Sequence, residues 1–290
     1  MSQSPKSPTL FQHVAAEVVG TFLLVFFGCG VVHTAVLMDA QQGLWQVAVV
    51  WGVAIMLAIY TVGGISGAQL NPAMTIAMAV LREFPKNRVV AYIVGQLLGA
   101  FLAAGLLFTL FHPQLAAKEQ AKGVRRGEAG SEITAMCYGE FSPNPGSLAA
   151  GSEKYAVADH ETLKARVPPW LAFVAELFGT AILACVVFAV TDSKNRGGPA
   201  VGQAAIFIGL TVAALISVIA PLTQACFNPA RDFGPRLFSA IAGWGSIALP
   251  LGTDWNWLTV YIIAPIFGAL VGGLLYEKIL GPAHRAGVAA

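Results

Sequence analysis

Ser66-Gly67-Ala68-Gln69-Leu70-Asn71-Pro72-Ala73 and Phe227-Asn228-Pro229-Ala230-Arg231-Asp232 are the two stretches that decide the architecture. Asn is among the best helix N-caps, and Pro is favoured at the first helical position, where its missing N–H is no loss. Asn-Pro-Ala therefore opens a helix. The segment each motif opens is apolar but short, running from Asn71 to Leu81 and from Asn228 to about Ile241. At 1.5 Å per residue, eleven helical residues reach about 16 Å, half of a bilayer's hydrocarbon core. One such motif alone reads as an ordinary helix start in a loop. Two copies, each opening a half-length apolar helix, read as re-entrant segments whose broken backbone must be buried in protein or line a wet cavity.

The chain on either side of these motifs repeats itself. Ala16-Glu17-Val18-Val19-Gly20-Thr21 matches Ala175-Glu176-Leu177-Phe178-Gly179-Thr180 at an offset of 159 residues, and the Asn-Pro-Ala copies lie 157 apart. Apolar runs long enough to cross a membrane fall at about 14–37, 44–63, 88–111, 170–191, 199–222 and 257–280. They show no period-2 alternation, so they read as helices rather than barrel strands. The first holds Glu17 and is too long for a signal-peptide core, so it counts as a span. Each half reads span, span, short segment, span. Three crossings per half oblige the second half to run in the opposite sense. The expected fold is an all-α membrane protein, with six transmembrane helices plus two re-entrant half-helices in an inverted repeat. Residues 1–290 form one domain: repeat one over about 11–111, a long outer loop over about 112–169, and repeat two over about 170–281. The loop holds too few apolar residues for a core of its own and is expected to fold down over an outer vestibule.

Composition points the same way. Only 11% of the 290 residues are charged, the hydrophobic fraction is 56% and the mean hydropathy is +0.69. A soluble domain carries about 25% charge. With a net charge of +2, neither a disordered chain nor a nucleic-acid binder fits. The four cysteines and five histidines show no ligand spacing, and there is no P-loop, nucleophile elbow or dinucleotide fingerprint. No enzyme, cofactor or metal is expected. Lys6, Arg82, Lys86, Arg88, Lys194, Arg196, Lys278 and Arg285 gather on one side, while the short loop 38–43 has no Lys or Arg. Both termini are therefore expected in the cytoplasm, at the inner membrane if the source is bacterial.

Inversion brings the two half-helix N-termini together at the midplane, where inverted-repeat folds hold their sites. Each end carries about half a positive charge, which repels cations. The Asn71 and Asn228 amides can donate to a passing oxygen, and donors facing from both sides would interrupt proton hopping along a water file. Carbonyls of Gly67, Ala68, Gln69, Leu70, Gln224, Ala225 and Cys226 lead up to the caps as an acceptor ladder. These features describe a pore for neutral solutes. Glu17 and Glu176 admit two readings: a proton relay, as in a coupled transporter, or a brace for the two re-entrant loops. Their symmetry, one per repeat, favours the brace.

The paired motifs and the repeat, over about residues 11–281, resemble the aquaporin (major intrinsic protein) family. The resemblance implies one pore per subunit, usually within a homotetramer, in contact with the lipid bilayer. Asp232 after Arg231, Arg236, Pro265-Ile266 and the loop sequence Tyr138-Gly139-Glu140-Phe141-Ser142-Pro143-Asn144-Pro145 resemble the glycerol-facilitator (aquaglyceroporin) branch. Gln69 departs from the family's usual His. The family's narrow filter maps by distance from the motifs onto Trp51, Ile216, Ala225 and Arg231. Its apolar Ile216 and Ala225 look closer to plant nodulin-26-like filters than to a typical glycerol facilitator. The resemblance implies a passive channel for glycerol and other small uncharged solutes, also passing water and excluding protons and ions. The alternatives are a water-preferring aquaporin or the coupled transporter. Asp232 is expected to hold its half-helix and balance the charge of Arg231.

Overall fold

The computed structural model describes residues 7–146, 162, 164–252 and 254–286, so Lys6 and the stretch 147–161 of the outer loop lie outside the described residues. In chain order the helices of ten or more residues are α1 (Leu10–Met38), α2 (Leu44–Ser66), the half-helix α3 (Pro72–Leu81), α4 (Val89–Lys122), α5 (Pro169–Val190), α6 (Ala204–Thr223), the half-helix α7 (Pro229–Ser239) and α8 (Asn256–His284). Among the described residues there is no strand. All but the two half-helices are long and apolar enough to cross a membrane. The two half-helices, at ten and eleven residues, are each too short to cross.

Packing obeys the repeat. α1 lies against α2 and α4, as α5 lies against α6 and α8, and α2 meets α6 between the halves. Gly52 and Gly209, 157 residues apart, sit at that crossing, and a Cβ on either would strike the other's carbonyl. The two backbones approach because neither carries a side chain there. The carbonyl contacts trade places under the repeat offset, which marks the pseudo-twofold relation between the halves.

Two boundaries differ most from expectation. α4 continues through His112 and Pro113 to Lys122, so the outer loop begins at Gly123 rather than about 112. A proline normally ends a helix, but the Gln114–Lys122 turns are rich in good helix formers. They are also clamped: Arg126 donates to both carboxylate oxygens of Glu119 at 3.0 and 3.1 Å, and Thr134 Oγ1 donates to Oε1 at 2.9 Å. The fifth span starts at Ala204 rather than about 199, because Gly202, at φ 86°, turns the chain just before it. The described part of the loop does fold down. Ile133, Ala135, Cys137 and Tyr138 are buried, and the last three pack with Ala104 and Leu115 of α4 and with Trp244 and Ala248 beyond α7.

Candidate functional site

Two strained loops form the middle of the molecule. Gly67, Ala68 and Leu70 lead into α3 with φ of 86, 47 and 53°, and Gln224, Ala225 and Phe227 lead into α7 with φ of 66, 62 and 54°. A left-handed backbone costs about 1–2 kcal/mol at a residue with a Cβ, so these loops need an external hold. Two buried carboxylates supply it. Glu17 Oε1 accepts from Ser66 Oγ at 2.6 Å and the Gln69 N–H at 3.0 Å, and Oε2 accepts from the Leu70 N–H at 2.8 Å and Gln96 Nε2 at 2.7 Å. Glu176 Oε1 accepts from Thr223 Oγ1 at 2.6 Å and the Cys226 N–H at 2.9 Å, and Oε2 accepts from the Phe227 N–H at 2.9 Å. The Leu70 and Phe227 side chains lie over Gly20 and Gly179, where a Cβ would collide with them. Ala-Glu-x-x-Gly-Thr is thus a receiver for each loop: the Glu takes the amides and the Gly makes room for the side chain. Tyr92 Oη and Tyr261 Oη add matching donors to the Ser66 and Thr223 carbonyls at 2.9 and 3.1 Å.

The two caps interlock. Asn71 Oδ1 accepts from the Ala73 N–H at 2.9 Å while its Nδ2 donates to the Phe227 carbonyl at 2.9 Å. Asn228 mirrors it, accepting from the Ala230 N–H at 3.0 Å and donating to the Leu70 carbonyl at 2.8 Å. Each amide keeps a second N–H, and both Asn line a common cavity. Pro72, Ala73, Pro229 and Ala230 are buried and start the helices without lining it.

That cavity, of about 190 Å³, brings together Trp51, Ile216, Ala225 and Arg231, the residues 67–70, and Cys226. Leu24, Ile55 and Val212, all apolar, also line it. The carbonyls of Gly67, Ala68, Gln69, Ala225 and Cys226 accept no hydrogen bond from any described residue. Gln224 stands apart from the expected ladder: it does not line the cavity. Its side chain instead holds the outer loop, Oε1 accepting from the Phe141 N–H at 2.8 Å and Nε2 donating to the Met136 carbonyl at 3.2 Å.

Arg231 lies 4.3 Å over the Trp51 ring and is ion-paired with Glu140. Asp232 makes no direct ion pair with Arg231. Its carboxylate accepts from Arg236 Nε at 2.9 Å and Nη2 at 2.8 Å. The i,i+4 spacing puts residues 232 and 236 on one helix face, while residue 231 is turned by about 100° from Asp232. Burial pushes the Cys137 thiol and the Tyr138 phenol of the outer loop above their ordinary pKa, so both are uncharged. Among the described residues no cluster suits a metal ion. Sequence reasoning passed over Glu140, Gln96, Tyr92 and Tyr261 as site residues. The hydroxyls of Ser66 and Thr223, 157 residues apart, were a readable signal for the carboxylate braces. Glu140 has no counterpart in the repeat and offered none.

A polytopic helical membrane protein with a lumen where two inverted half-helices meet is the class these features define. The chain belongs to the major intrinsic protein family, whose pattern matches residues 4–276. It is 38% identical over 280 residues to a glycerol uptake facilitator protein of Pseudomonas aeruginosa, covering 97% of this chain and 92% of that one. It is 38% identical over 266 residues to a propanediol uptake facilitator of Citrobacter freundii, covering 92% and 91% of the two chains. The X-ray structure of an aquaglyceroporin from Plasmodium falciparum superposes with a TM-score of 0.77 at 23% identity, covering 96% of this chain and 100% of that one, a likeness of fold. The protein is a channel-type facilitator and not an enzyme.

Proposed function

We propose that residues 1–290 act as a single passive channel for glycerol and other small uncharged solutes, and that water also passes. The observation that carries the reading is the mixed lining of the lumen, where residues whose carbonyls accept from no described residue meet the apolar Ile55, Val212 and Ile216. Under this proposal the carbonyls take a solute's hydroxyls and the apolar side chains its carbon backbone. In this reading Trp51, Ile216, Ala225 and Arg231 select by size and polarity. Arg231 is the hydroxyl-binding donor there. The free N–H of Asn71 and of Asn228 orients the solute at mid-membrane, and with the half-helix dipoles it keeps out protons and cations. Glu17, Glu176 and Asp232 act as supports. The relatives named for glycerol and propanediol uptake favour a polyol over a water-only pore. Glu17 and Glu176 are both taken up as acceptors for the re-entrant loops, which argues against a proton relay through them. Cytoplasmic termini, an inner-membrane location and a homotetramer complete the proposal.

Stopped-flow light scattering on proteoliposomes tests it. After a glycerol gradient is imposed, fast shrinkage followed by protein-dependent re-swelling is expected. Shrinkage without re-swelling would mean a water-selective pore.

A further inference from the structure

We infer that Glu140, from the outer loop, sets the position and cancels the charge of Arg231 in the wall of the lumen. It is thereby a positioning residue for solute selection. The inference rests on the reading of the protein as a glycerol channel. Glu140 is 2% exposed and lies in neither half of the inverted repeat. Its N–H donates to Asp232 Oδ1 at 2.6 Å, its carbonyl accepts from Arg236 Nη2, and its Oε1 pairs with Arg231 Nη1. Asp232 and Arg236 close a second buried pair at 2.8 Å. The loop backbone is therefore pinned between two ion pairs, and its carboxylate is aimed at the guanidinium. Arg231 makes no other ion pair or side-chain hydrogen bond to a described residue. Its guanidinium also lies over the face of Trp51, at 4.3 Å from the ring centre.

The pairing changes how each charge acts on a solute. With Arg231 neutralised at contact distance, the lumen wall carries no net charge from this pair, and cation exclusion falls chiefly on the half-helix N-termini. Removing Arg231 alone leaves a buried carboxylate beside the lumen, which attracts cations. Removing the charge of Glu140 instead frees a guanidinium next to the unpaired carbonyls of Ala225 and Cys226, which line the same cavity. The guanidinium then turns into the lumen, obstructing glycerol more than the smaller water molecule.

The test uses the full chain in proteoliposomes. Glu140→Gln, isosteric with the native residue, is expected to lower the glycerol-to-water permeability ratio by about tenfold, the equivalent of one lost charge-assisted contact. A ratio equal to wild type, in a variant that elutes like wild type in detergent, overturns the inference. A second comparison needs no folded Glu140→Gln single variant. Arg231→Ala is expected to raise the leak of protons or Na⁺, followed with an entrapped indicator dye. Arg231→Ala combined with Glu140→Gln should bring that leak back toward wild type. Equal leaks in the two variants overturn the inference. If wild type itself passes no glycerol, the channel reading fails and takes the inference with it. Wild-type glycerol flux with an unchanged Glu140→Gln ratio defeats the inference alone.

Discussion

Glu176 accepts three hydrogen bonds and Glu17 four, all inside the molecule. These bonds hold a backbone that would otherwise relax out of the left-handed region. Gln in place of Glu176 turns one acceptor into an NH₂ facing a donor, so one amide loses its partner and the rest lose charge assistance. We expect Glu176→Gln to destabilise the protein by about 2–4 kcal/mol, read as a lowered thermal transition in detergent. Glycerol flux per folded channel should change little, because the carboxylate is behind the loop and does not line the lumen. A loss of flux with unaltered stability would instead argue for a part in transport.

The half-helices exist as elements because each starts at an Asn-Pro pair and ends before it can cross. They stay in place because each cap bonds to the opposite loop. Their mounting depends in turn on how closely α2 and α6 approach. Gly209→Val puts three carbons where the Gly52 carbonyl and the Met56 side chain already sit. Overpacking of this kind costs about 1–3 kcal/mol, and here it also parts the walls that carry Trp51 and Ile216. The expected result is a lower melting temperature together with a changed glycerol-to-water permeability ratio. The ratio separates a displaced wall from simple loss of folded protein.

For the whole molecule, the arrangement of two fixed halves around one lumen predicts downhill transport only. The two carboxylates that recur in the repeat, Glu17 and Glu176, are both occupied as braces, each accepting from the loop it holds. A pH step across the proteoliposome membrane should therefore drive no accumulation of radiolabelled glycerol above the equilibrium level. Accumulation that collapses with the pH gradient would restore the coupled-transporter reading.

The number of spans, the two half-helices and the inverted order are legible in the chain because each depends on local properties. Apolar run length sets what can cross, Asn-Pro sets where a helix starts, and an odd number of crossings sets the inversion. Asn71, Asn228, Glu17 and Glu176 were legible for a related reason, since each occurs twice at nearly the same offset. The C-terminal reach of α4 was not legible, because Pro113 reads as a stop and the clamp on Glu119 comes from Arg126 and Thr134. The counterion of Arg231 was not legible either. Asp232 adjoins it in sequence, yet helix geometry turns that carboxylate to Arg236, and the outer loop delivers Glu140 from 91 residues away. Periodicity and motif record what a residue does within its own element. Which charge faces which across elements is decided only by the packed fold, where burial makes an unpaired ion too costly to leave alone.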